Sequence, residues 1–174
     1  SKHIAFEFDG LYWHSEIKKP DKKYHLQKTI ECEKQNIQLI HIFEDEWVNK
    51  RKICESRILN LLGKSNKIYA RKCEITKISK EEAKKFFNEN HIQGNISAKI
   101  VYGLKYNDEL VSAMSFGGFR KNMGRTSVDN SFELLRFCNK IGYNVVGGAS
   151  RLFKMFIKEY KPFEVISYAD RRWS

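Results

Sequence analysis

The sequence predicts an α/β protein built in two parts. Three observations carry that reading. Apolar runs of strand length alternate with longer segments of helical period. Gly63, a helix-stop signal, is followed by the polar stretch Lys64-Ser65-Asn66-Lys67, which divides the chain into residues 1–63 and 64–174. Apolar content of 41% with 13% aromatic residues is enough for packed cores in 174 residues and excludes a disordered tail.

The first part opens on Ile4-Ala5-Phe6-Glu7-Phe8-Asp9-Gly10. Ile4, Phe6 and Phe8 alternate with Ala5, Glu7 and Asp9, the period of a half-buried strand. Glu7 and Asp9 then share one face, about 7 Å apart at Cβ. Gly10 ends the strand, and His14 follows one short turn later. Carboxylates on an edge strand often face only solvent. Two on one face can also hold a hard divalent cation such as Mg²⁺ through oxygen, and a nearby imidazole can move a proton. Glu7, Asp9 and His14 are therefore the candidate catalytic residues, with Glu7 and Asp9 as metal ligands. A polar linker with Pro20 leads to a helix expected over 21–35. The apolar strand 37–43 follows, and Glu44-Asp45-Glu46-Trp47 opens a helix running to about Leu62.

The second part begins with a strand expected over 68–78. Ser79 with Glu82 reads as a capping box for a helix over 81–89. Asn107-Asp108 between two apolar runs is a hairpin turn signal. A basic, Gly-containing loop spans 117–125, and a strand covers 132–138. Val145-Val146-Gly147-Gly148-Ala149 leads into a helix from Ser150, its expected cap, to Tyr160. A strand at 165–170 precedes Arg171-Arg172-Trp173-Ser174.

Charge bounds the partner. The chain carries 32 Lys+Arg against 21 Asp+Glu, a net +11. Such an excess suits a polyanion, although it also serves solubility. Arg120, Lys121, Arg125, Arg171 and Arg172 lie at loops or element ends, where phosphates are usually met. They are the candidate contacts to double-stranded DNA. No apolar run approaches the ~18 residues of a membrane span. The four cysteines, Cys32, Cys54, Cys73 and Cys138, show no CxxC spacing. They read as buried free thiols in a reducing compartment, which points to the cytoplasm. Oligomeric state is not legible.

The block Glu7-Phe8-Asp9-Gly10-Leu11-Tyr12-Trp13-His14, followed by Leu39-Ile40-His41-Ile42-Phe43-Glu44-Asp45-Glu46-Trp47, resembles the core of the very-short-patch-repair (Vsr) endonucleases and related homing endonucleases, within the PD-(D/E)XK superfamily. The resemblance covers about residues 1–63 and implies a restriction-endonuclease-type core with metal-dependent hydrolysis of DNA. It also implies an aspartate ligand on a preceding strand, and this chain begins at Ser1, just before the second strand. The core is thus expected to lack its first strands, and activity of these residues alone is in question. The signature lysine has no counterpart either, because Asp9 follows Glu7-Phe8.

The helix, hairpin, strand, Gly turn, helix, strand order over about 70–174 resembles a GNAT-type acyltransferase, C-terminally incomplete. Tyr168-Ala169-Asp170-Arg171-Arg172-Trp173 is similar to the end of the phage Mom-type DNA-modifying proteins. That resemblance implies anion binding by backbone N–H groups at Gly147, Gly148 and Ala149, with acyl-CoA as the cofactor. It would put Asp170, Tyr168 or Ser150 near a reaction. The residues favour the cation over acyl-CoA. The leading expectation is a Mg²⁺-dependent DNA endonuclease of phage or mobile-element type. A DNA-modifying transferase and a non-catalytic DNA-binding module are the alternatives.

Overall fold

A computed structural model describes residues 3–10, 24–118, 129–170 and 172–173. Its mixed helices and sheets make an α/β protein, as the alternating patterns predict. The chain divides into two compact units, Ser1–Cys54 with Ala169–Ser174, and Glu55–Tyr168. The sequence reading places its boundary at Gly63–Lys64. The division by packing instead falls inside a helix and assigns the last residues to the first unit.

In the first unit, strand β1 (His3–Asp9) leads through helix α1 (Tyr24–Lys34) to β2 (Ile37–Phe43). The two strands pair in parallel, with Glu7 opposite His41 and Asp9 opposite Phe43. A parallel pair requires a crossover, and α1 supplies it. Helix α2 (Glu44–Leu61) starts directly at the end of β2 with Glu44, Asp45 and Glu46 in its first turn, the favourable end for negative charge. Its backbone breaks helical geometry at Lys50.

Alternation along β1 is as the pattern requires, yet burial is reversed. Phe6 and Phe8 are 41% and 53% exposed, whereas Asp9 is 1% exposed. Polar residues of α1 cover the carboxylate face. Phe8 makes an edge contact with Trp47, ring centroids 6.4 Å apart.

The second unit is centred on a five-stranded sheet in the order β4 (Glu74–Lys77), β5 (Ile100–Tyr106), β6 (Glu109–Gly117), β7 (Ser131–Asn139) and β9 (Glu164–Ser167). The first three pairings are antiparallel and β7–β9 is parallel. Asn107 and Asp108 both take positive φ, 50° and 61°, as a two-residue hairpin between twisted strands demands. Helix α3 (Lys80–Asn90) is capped by Ser79, whose Oγ accepts from Glu82 N at 3.1 Å. Helix α4 (Gly148–Tyr160) buries Leu152 and Phe156 against the other face. Phe156 stacks on Phe116 at 3.7 Å and meets Phe132 edge-on at 5.2 Å.

Two elements differ from the sequence reading. The strand expected over 68–78 is broken by a 3₁₀ turn at Ala70–Lys72 into β3 (Asn66–Tyr69) and β4. Residues Tyr143–Val146 form a strand, β8, parallel to β3.

Candidate metal centre

Four side chains converge in the first unit. Glu7 and Asp9 point the same way from β1, and His41 joins them from the neighbouring position of β2. His25 comes from α1. One ligand atom from each of Glu7, Asp9, His25 and His41 lies within 4.8 Å of all the others. Asp9 and His41 have side chains 0% and 4% exposed, Glu7 15%.

Each member is placed by local rules. Strand alternation puts residues two apart on one face, so Glu7 and Asp9 go together. Helix spacing puts residues three and four apart on one face, so His25, Lys28 and Thr29 go together and cover that strand face. His41 Nδ1 is 2.9 Å from Asp9 Oδ2 and 3.5 Å from Glu7 Oε2. His25 Nδ1 is 3.7 Å from Asp9 Oδ1, beyond hydrogen-bond range. The two imidazoles meet edge to face, centroids 5.2 Å apart. Lys28 Nζ donates to Glu7 Oε1 at 2.5 Å. Glu7 Oε2 is buried without a hydrogen-bond partner among the described residues.

The far side of His41 is also settled. Its Nε2 lies 3.0 Å from Thr29 Oγ1. The Thr29 hydroxyl donates its one proton to the His25 carbonyl at 2.8 Å, the usual back-bond of a helical threonine. Thr29 Oγ1 must therefore accept from His41, so Nε2 carries a proton. Nδ1 then turns toward two carboxylates.

Two carboxylates gathered with two imidazoles offer oxygen and nitrogen donors to a cation. The cluster could hold a metal ion. Bonds of about 2.1 Å put opposite donors about 4.2 Å apart and neighbouring donors about 3 Å apart, and the four donor atoms, all within 4.8 Å of one another, lie near that spacing.

No family model, no curated protein and no solved structure matches this chain.

Of the expected site residues, the structure brings Glu7 and Asp9 together. His14, Arg120, Lys121, Arg125 and Arg171 lie outside the described residues. His25 and His41, which spacing along the chain did not single out, take the imidazole positions. The signal for His41 was present: registering the apolar run 37–43 beside 3–9 as parallel strands sets it opposite Glu7. Lys28 brings an ammonium to Glu7 from a helix, where no local signature motif would show it.

Arg172 has an internal role. Its guanidinium donates to both Glu46 oxygens at 3.0 and 2.8 Å and to Asp170 Oδ2 at 2.7 Å, and it covers the Phe43 ring at 4.5 Å. Burial opposes its charge, but the bonds to Glu46 and Asp170 outweigh burial and raise its pKa. A phosphate would have to displace two carboxylates to reach it. Asp170 is engaged by the same contact, and Tyr168 is half exposed.

In the second unit, Gly147 caps α4 with a left-handed φ of 79°, so Ser150 lies inside the helix and does not cap it. Gly148 is explained by packing. A Cβ there would meet Val145 Cγ1 at 3.2 Å. Ala149 sits in the first turn. Gly147 and Ser150 line a shallow cleft with Arg151, Lys154 and Lys158. Arg151 is partly committed, donating to the Ala70 carbonyl.

Proposed function

We propose that the chain is a metal-dependent phosphodiesterase acting on double-stranded DNA, with Glu7 and Asp9 as the carboxylates that hold the cation. The carrying observation is the convergence of Glu7, Asp9, His25 and His41 at the end of two parallel strands. The net charge of +11 supports a polyanionic substrate. Mg²⁺ is the ion expected from the carboxylate pair. A bound divalent cation would polarise a phosphodiester and lower the pKa of a water. Lys28 contributes positive charge beside Glu7, and His14 is the candidate proton-transfer group.

The test is cleavage of supercoiled plasmid by the purified chain with added divalent cation or chelator. Chelator should stop cleavage. Glu7→Gln and Asp9→Asn should each lower the rate by at least about 10²-fold with DNA affinity kept or slightly raised, because a carboxylate repelling phosphate is gone. Wild-type cleavage rates in both variants would sink the reading.

A further inference from the structure

We infer that His25 and His41 are ligands of the same cation as Glu7 and Asp9, that Thr29 is the positioning residue that aims His41, and that the ion is a first-row transition dication in preference to Mg²⁺. This rests on the metal reading of the cluster, but not on its being a phosphodiesterase.

The geometry is specific. Thr29 Oγ1 has given its proton to the His25 carbonyl and can only accept from His41 Nε2. A metal-bound histidine characteristically donates its other ring N–H to a fixed acceptor, which sets its tautomer and orientation. Thr29 is that acceptor, and it faces Nδ1 toward Asp9 Oδ2 at 2.9 Å and Glu7 Oε2 at 3.5 Å. A single proton between His41 and Asp9 would account for that one contact alone. His25 Nδ1 is turned toward the other oxygen of the same carboxylate, Asp9 Oδ1, at 3.7 Å. One cation accounts for all four donors at once.

Donor chemistry then selects the ion. Mg²⁺ favours an all-oxygen shell and keeps several waters. Imidazole nitrogen favours Mn²⁺ and the later first-row dications, increasingly along the series. Two nitrogens and two carboxylate oxygens form a mixed set that penalises Mg²⁺. Lys28, donating to Glu7 Oε1, leaves one oxygen of that carboxylate for the ion.

The experiment uses the full chain, stripped of metal with a chelator and then titrated calorimetrically with Co²⁺, Mn²⁺ and Mg²⁺. Co²⁺ should bind at one equivalent, at least about 100-fold more tightly than Mg²⁺, and develop visible d–d absorption. Mn²⁺-loaded wild type should show ¹⁴N coupling in pulsed EPR, a readout that needs no variant. Thr29→Val should weaken Co²⁺ about 10–100-fold and shift its bands. Thr29→Ser, which restores the acceptor, should recover both. Circular dichroism confirms that each variant is folded. Mg²⁺ binding within tenfold of Co²⁺, or Mn²⁺ without ¹⁴N coupling, overturns the ligand assignment. Wild-type Co²⁺ affinity in folded Thr29→Val overturns the role of Thr29. Tight Co²⁺ binding without plasmid cleavage leaves this inference standing and removes the phosphodiesterase reading. Cleavage that needs Mg²⁺ and survives His41→Ala does the reverse.

Discussion

His91 closes helix α3, where its N–H bonds the Phe87 carbonyl. Its Nδ1 accepts from Gln93 N at 3.2 Å, a bond that only the unprotonated nitrogen can make. Burial, then the guanidinium groups of Arg136 and Arg57, push its pKa from 6.5 down to about 4. The folded protein thus resists a proton that the unfolded chain accepts. The stability contributed by neutral His91 is complete above pH 6.5 and falls away as pH drops toward about 4. The loss can reach about 3 kcal/mol, since each tenfold change in proton affinity is worth roughly 1.4 kcal/mol. Urea unfolding at intervals from pH 7 to pH 4 should show it. His91→Gln, which cannot titrate, should lose less stability than wild type over that window. Parallel pH profiles for the two proteins would remove His91 as the cause. The segment after α3, His91-Ile92-Gln93-Gly94-Asn95, carries several polar residues. In the structure several of them close a turn, with Asn95 N bonded to Asn88 Oδ1 and Gly94 N to the His91 carbonyl.

Helix α4 shows how local and distant information combine in one element. Its period buries Leu152 and Phe156, and Phe156 joins a cluster of rings from β6, β7 and its own helix. Phe156→Ala should therefore destabilise by about 3–5 kcal/mol, the usual effect of a large cavity in a tightly packed core, read as a lower urea midpoint with an unchanged slope. A loss under about 1 kcal/mol would mean that the rings close over the gap. That helix was legible because its signal lies within a few turns, as were the Ser79 cap and the Asn107-Asp108 hairpin. Strand β8 was not legible. Its partner β3 lies far off in sequence, and a four-residue strand has too few alternations to declare itself. The break at Ala70 hid inside what looked like continuous extended chain. The candidate site divides in the same way. Glu7 and Asp9 follow from alternation on one strand, which needs no partner. His41 needed the parallel register, and His25 needed the crossover helix laid on the correct face. Phe6 and Phe8 misled because hydrophobicity predicts which face is buried only when the other face is not claimed by a polar cluster.

At the scale of the whole molecule, the excess of positive charge is either a nucleic-acid footprint or a solubility device. Salt separates the two. Each phosphate neutralised releases condensed counterions, so log affinity for duplex DNA falls with log salt at a slope of about −0.9 per contact. On the proposed function, five or so contacts would give a slope of roughly −4.5, measured by fluorescence anisotropy between 50 and 200 mM salt. Lysines spread for solubility would give weak binding with no localised dependence on particular residues. Individual arginines should then sort by what they already hold. Replacing Arg120, Lys121 and Arg125 together by Gln should shallow the slope by about 2.7, because three phosphates are no longer neutralised. Arg172→Gln should behave differently, because its guanidinium is already held by Glu46 and Asp170. It should leave the slope unchanged and instead lower stability by about 2 kcal/mol, the usual worth of hydrogen bonds to charged groups. A slope that the triple substitution leaves untouched, or one that Arg172→Gln alone makes shallower, would reverse this assignment and remove Arg120, Lys121 and Arg125 as proposed DNA contacts.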